Sequence, residues 1–162
     1  MADRDPHIGT RRNYAGYDED FAAWVDAQAL LLREGRFGEL DLDNLIDEVE
    51  GVGKSEFRSF YHAIELILLH MVKWDYQIER QGRSWRTTIN TQRDEVLQLL
   101  KENPSYKSRI DEAIVCAYGP VPSMVETATT IPVERLPKVC PYTWDEIMSR
   151  QHNLNPDRQR PN

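Results

Sequence analysis

The chain has 162 residues, 40% hydrophobic and 29% charged, with a formal net charge of −7, so one soluble domain of ordinary size is the expectation. That sign repels phosphate backbones and makes nucleic acid a poor candidate partner. Two cysteines, Cys116 and Cys140, rule out a disulfide framework and a zinc ribbon. The longest apolar run, residues 64–72, is broken by Glu65 and His70 and falls far short of the ~20 residues a membrane-spanning helix needs.

Residues 1–16 mix charge, Gly, Pro and Asn without a period and read as a flexible N-terminal arm with no secretory signal. Asp18 is placed to cap a first helix, with acids at 19 and 20 suiting its positive end. Phe21, Trp24, Val25, Ala29 and Leu32 recur at threes and fours and predict one buried stripe. Gly35 is placed to end that helix.

A turn at "FGELDLDN" follows, and Asp41 or Asp43 starts the next helix. Helical spacing then persists from Leu45 through Ile46, Val49, Val52, Phe57, Phe60, Ile64, Ile67, Met71 and Trp74 to Ile78. Gly51 and Gly53 interrupt it, each at about 1 kcal/mol against Ala. One long helix over 43–78, continuous but bent at "GVG", is predicted, with two separate helices as the alternative. Around 64–72 apolar residues circle the axis, which predicts a central position in the core.

"ERQGRS" is the next break, with Ser84 as the expected cap. Trp85, Ile89, Val96, Leu97 and Leu100 form the following stripe, ended by Asn103-Pro104. Another helix runs from Ser105 through Tyr106, Ile110, Ile114, Ala117 and Tyr118, with Cys116 on its apolar stripe. Gly119-Pro120 ends this helix or bends it into "SMVETATT". Thr143 with Glu146 three later is a capping box and predicts a short terminal helix. Residues 149–162 read as a flexible C-terminal tail. No strand signal occurs, so the fold class is all-α: a single-domain bundle of about five helices over 17–148.

Residues 70–93 carry five Lys/Arg against two acids, where the 69 residues before them carry 7 against 15. This segment also holds His70, Trp74 and Trp85. Pairing the two flanking helices about residue 80 puts Trp74 opposite Arg86 and His70 opposite Asn90. A structural clamp is the plain expectation: buried rings, with arginines stacked on them and paired with acids of residues 43–56. The alternatives are a nucleic-acid grip through Arg83, Arg86 and Arg93, and an enzyme or metal protein around His70 with Glu48 or Glu50. No Glu-x-x-His pair or catalytic signature supports the last. No cofactor or metal is therefore expected.

In chain order, "YDEDFAAWVDAQALLLREGRFGELDLDNLIDEVEGVGKSE", "LLHMVKWDYQ", "RSWRTTINTQR" and "LPKVCPYTWDEIM" resemble the uncharacterised bacterial family catalogued as domain of unknown function 29. The resemblance implies a compact all-α domain and no particular activity. Its recurring motif falls on His70, Lys73, Trp74, Ser84, Trp85, Arg86, Thr88, Ile89, Gln92 and Arg93, with Glu48 and Glu50 on the acidic helix. After Tyr118, "GPVPS" replaces the charged continuation usual in similar proteins, which implies a shorter or kinked fourth helix. The candidate functional cluster is Glu48, Glu50, His70, Lys73, Trp74, Ser84, Trp85, Arg86, Gln92 and Arg93. The functional expectation is a cytoplasmic accessory module that binds a protein partner or itself, without a membrane.

Overall fold

The computed structural model describes residues 15–154; the expected N-terminal arm lies almost wholly outside them. Among the described residues the fold is all-α. Six α-helices follow in order: α1 (Phe21–Arg33), α2 (Leu42–Tyr76), α3 (Arg83–Glu102), α4 (Ile110–Tyr118), α5 (Val121–Ala128) and α6 (Trp144–Ser149). Helix α2 runs 35 residues without interruption through Gly51 and Gly53. The chain divides at that glycine pair into two compact units, one ending at Gly53 and one beginning at Lys54.

In the first unit the cap of α1 is Asp20, not Asp18: its carboxylate accepts the Ala23 N–H at 3.0 Å. The helix ends in a Schellman motif. Gly35 adopts φ +71°, its N–H donates to Leu32 and the Arg36 N–H donates to Leu31, which satisfies carbonyls the helix end would leave open. Asp41 starts α2 and ties the unit together. Its carboxylate accepts from Trp24 Nε1 at 3.0 Å and from the Asn44 side chain at 2.7 Å, while its own N–H donates to Gln28. The Asn44 bond foremost, against some desolvation, holds the Asp41 carboxyl below its usual pKa.

The predicted stripe of α1 needs correction. Trp24, Ala27, Gln28 and Leu31 are buried, whereas Phe21, Val25 and Leu32 are exposed. On α2 the same holds for Ile46, Val49 and Val52. Periodicity is present in both helices, but neither whole stripe turns inward.

The second unit contains the core. Phe57, Phe60, Ile64, Ile67, Leu68, Met71 and Val72 of α2 pack with Ile89, Val96 and Leu100 of α3, Ala113 and Ala117 of α4, Val121 and Val125 of α5, and Ile147 of α6. Side chains of this kind stabilise by roughly 1.5–3 kcal/mol each when fully buried. Phe57, Phe60 and Tyr106 meet with ring centroids 5.2–6.0 Å apart, and the Arg109 guanidinium lies 3.5 Å over the Phe57 ring. The Tyr118 hydroxyl donates to the Pro137 carbonyl at 2.8 Å and pins the loop before α6. Burial pushes that phenol up to about 12.

Several local expectations shift here too. Helix α2 stops at Tyr76, and Ile78 is exposed in a short 3-10 turn. Leu99, not Leu97, faces the core. A 3-10 segment, Pro104–Arg109, precedes α4. Cys116 is exposed, not on a buried stripe, while Cys140 packs half-buried against the core. The nine-residue α4 gives way at Gly119-Pro120 to α5, as the implied short fourth helix requires. The α6 capping box is present: the Glu146 N–H donates to Thr143 Oγ1 at 3.3 Å, and the Thr143 N–H donates to Glu146 Oε2 at 2.8 Å.

Candidate functional site

Glu48 and Glu50 belong to the first unit. Glu48 is half-buried and accepts the Tyr17 hydroxyl at 2.5 Å, a bond that raises the tyrosine pKa. Glu50 is exposed. The other eight candidates lie in the second unit and fall into three groups.

The first group is buried. Trp74 is 5% exposed and meets the His152 ring edge-on at 5.1 Å. Arg93 is 8% exposed; its Nε donates to the Ile147 carbonyl at 2.7 Å and its Nη2 to the Glu146 carbonyl at 3.3 Å. A charge this deep needs partners, and the partners of Arg93 are backbone carbonyls of α6. The expectation of carboxylate partners from 43–56 is corrected for this residue. Its guanidinium supplies a donor to the Ile147 carbonyl near the open end of α6 and a second donor to the Glu146 carbonyl, which also accepts the Arg150 N–H, and so fastens α6 to α3.

The second group is half-buried. Lys73 Nζ sits 4.7 Å from the centroid of the Trp85 ring, a cation–π geometry. The contact agrees within a turn with the expected antiparallel pairing of α2 and α3. Burial first, and then Arg80, lowers the Lys73 pKa. The His70 Nδ1 bonds the Leu66 carbonyl at 2.8 Å, one turn back on its own helix. Burial lowers its pKa, the Leu66 bond opposes this, and Lys73 adds to it. Neutral His70 thus donates through Nδ1 to its own backbone. Gln92 is half-buried as well.

Ser84 and Arg86 form the third group, both exposed. Ser84 is not the cap: α3 starts at Arg83 after Gly82, without a side-chain cap, and the Ser84 carbonyl accepts from Thr88.

Spacing gave no warning of a second polar cluster in the same unit. Arg150 makes a two-point ion pair with Asp75, at 2.5 and 2.9 Å, and the Tyr142 hydroxyl donates to Asp75 at 2.8 Å. Burial raises the Asp75 pKa, but the bonds from Arg150 and Tyr142 outweigh it and leave the carboxyl below its usual value. Burial and the neighbouring carboxylate push the Tyr142 phenol up. His152 is 3% exposed, and neither ring nitrogen has a well-formed hydrogen bond. Its pKa is lowered to about 4 by burial first, then by Arg93 and Arg150; Asp75 and the Arg150 backbone oppose this with smaller effect. Packing thus continues at Arg150 and His152, inside the stretch expected as tail. The "CPYT" motif supplies Tyr142, but a bond across 67 residues and an ion pair across 75 leave no trace in spacing.

The second-unit cluster has three side chains engaged within the fold, while its Ser84 and Arg86 are exposed. Its buried cation is bonded to carbonyls, its lysine lies on a ring and its histidine bonds its own helix. Among the described residues no three His, Cys, Asp or Glu side chains gather where they could hold a metal ion, and no helix is long and apolar enough to cross a membrane. A hollow of about 330 Å³ is lined by Gln77, Glu79, Arg80 and Thr127–Thr130; none of the ten candidates lines it.

No curated protein and no solved structure matches the chain. A family model does match, over residues 17–153, almost the whole described region. That region carries Trp74 and Trp85, the capping box and the buried His152 together, and the chain belongs to the family described as Domain of unknown function DUF29.

Proposed function

We propose that the chain is an accessory module that works by binding a protein partner through its first unit. The observation behind this reading is a row of bare apolar side chains on α2. Leu42 is 56% exposed, Ile46 56%, Val49 71% and Val52 62%. At 100° per residue these four fall within an arc of about 120°. An amphipathic helix ordinarily turns such an arc inward, and contiguous bare apolar surface of this kind marks interaction sites. The α1 residues Phe21, Val25 and Leu32 form a second exposed row in the same unit.

Nucleic acid has no observation of equal weight. Arg93 is spent on α6 carbonyls and the Trp85 face is covered by Lys73, so one cation and one stacking platform of the basic segment are already engaged. Affinity capture with the full chain tests the proposal, run beside an Ile46→Ser/Val49→Ser/Val52→Ser variant whose fold is checked by circular dichroism. A protein retained by the parent and released by the variant is the expected result. Identical captures, with a monomer in light scattering for both, overturn it.

A further inference from the structure

The charge around the bare row of α2 says what kind of partner fits it. Residues 15–53 hold eleven carboxylates against two guanidiniums, Arg33 and Arg36. On the helical wheel Glu50, Asp43 and Asp47 follow one edge of the apolar arc, at about 80°, 100° and 140° from Leu42, and Glu48 lies beyond the other edge at about 240°. Asp43, Asp47 and Glu50 are exposed. The arc is therefore an apolar strip with an acidic border.

Resting on the partner-binding reading above, we infer that this strip receives a cationic amphipathic helix, with its apolar side chains on Leu42, Ile46, Val49 and Val52 and its Lys or Arg against Asp43 and Asp47. Three observations favour this occupant. The strip covers three helical turns, roughly 16 Å, which matches the i, i+3/i+4, i+7 anchors of a helix laid along it. Gly53 falls in the same arc and has nothing within 4 Å of where a Cβ would be, so a second backbone can approach closely at that end. Charge argues against a second copy in the same place: a two-fold contact sets the same patch on itself and would bring two strongly negative surfaces together, and opposed like charges suppress a pairing. It argues equally against an anionic lipid surface.

The test is fluorescence anisotropy on the full chain with three labelled 18-residue peptides. One is a designed helix with Leu at the a and d positions and Lys elsewhere. The second replaces Lys by Glu, and the third replaces Leu by Ser. Only the first is expected to bind, with affinity falling as salt rises. Asp43→Asn/Asp47→Asn is expected to weaken it about tenfold, in line with two modest ion pairs at a surface, and Ile46→Ser/Val49→Ser to abolish it. Binding of the Glu peptide as tight as the Lys peptide overturns the inference, and so does Lys-peptide binding that survives all the α2 substitutions. A concentration-dependent dimer lost with Val49→Ser overturns it in favour of a second copy. The two readings fail separately. A captured partner sensitive to Ile46→Ser/Val49→Ser but indifferent to Asp43→Asn/Asp47→Asn leaves the interaction module standing and removes the cationic helix. Capture indifferent to both sets of substitutions removes both.

Discussion

His152 offers the sharpest test of how the second unit is held. The ring is buried against Trp74, with no well-formed hydrogen bond at either nitrogen, and Arg93 and Arg150 both disfavour a positive charge on it. Its pKa falls from an ordinary 6.5 to about 4. In the unfolded chain the ring takes up a proton as pH drops through 6.5; in the folded chain it resists until about 4. Between these values the unfolded state holds more protons, so stability declines as pH falls. The loss is complete near pH 4 and absent above pH 7. At 1.36 kcal/mol per pH unit, the gap corresponds to about 3 kcal/mol. Asp75 and His70 also carry lowered pKa values and add their own acid sensitivity, so the informative quantity is a difference between proteins. Substituting His152→Phe keeps a ring beside Trp74 and deletes both nitrogens. Urea denaturation of parent and variant at half-unit steps from pH 7.5 to 4 gives that difference. The variant is expected to gain on the parent by about 3 kcal/mol over this range, and to be at least as stable at pH 7.5, because two buried ring nitrogens without a well-formed hydrogen bond have gone. A parent-minus-variant difference that stays flat with pH refutes the account of His152 as a buried neutral ring.

Further outcomes concern particular backbone and side-chain fastenings. Truncating Arg93→Ala takes the side-chain donor from the Ile147 carbonyl, while the Glu146 carbonyl keeps the Arg150 N–H, and should cost about 1–3 kcal/mol in denaturant unfolding; Arg93→Lys, which cannot reproduce the two-armed geometry, should recover only part. Gly51→Ala, at an exposed position with open space around it, should stabilise by about 1 kcal/mol, seen as a raised melting temperature. Gly35→Ala should destabilise by about 1 kcal/mol, because the +71° backbone disfavours any Cβ; an unchanged melting temperature would contradict the Schellman end of α1.

The long helix, the all-α class, the Gly35 stop and the Thr143–Glu146 box were legible in the sequence because each depends on residues within a few positions of one another. A helix cap, a left-handed glycine and a 3.6-residue period are local properties, and local energetics decide them. The exact cap was less so: Asp18 and Asp20 offer the same carboxylate two residues apart, and the backbone turn at Asp20 decides between them. The candidate cluster was legible as a position and not as a set of roles. Trp85 and Lys73 meet as helix pairing predicts, but Arg93 finds carbonyls 53 and 54 residues away. The Asp75–Arg150 pair and the burial of His152 come from chain segments the local pattern cannot join. The apolar stripes of α1 and of the start of α2 show the same limit. Periodicity establishes that a helix has an apolar face; whether a neighbour covers that face is a matter of packing. Here tertiary structure turned Trp24 and Leu31 inward and left Val49 in solvent, because burial is settled by which surfaces the folded chain brings into contact.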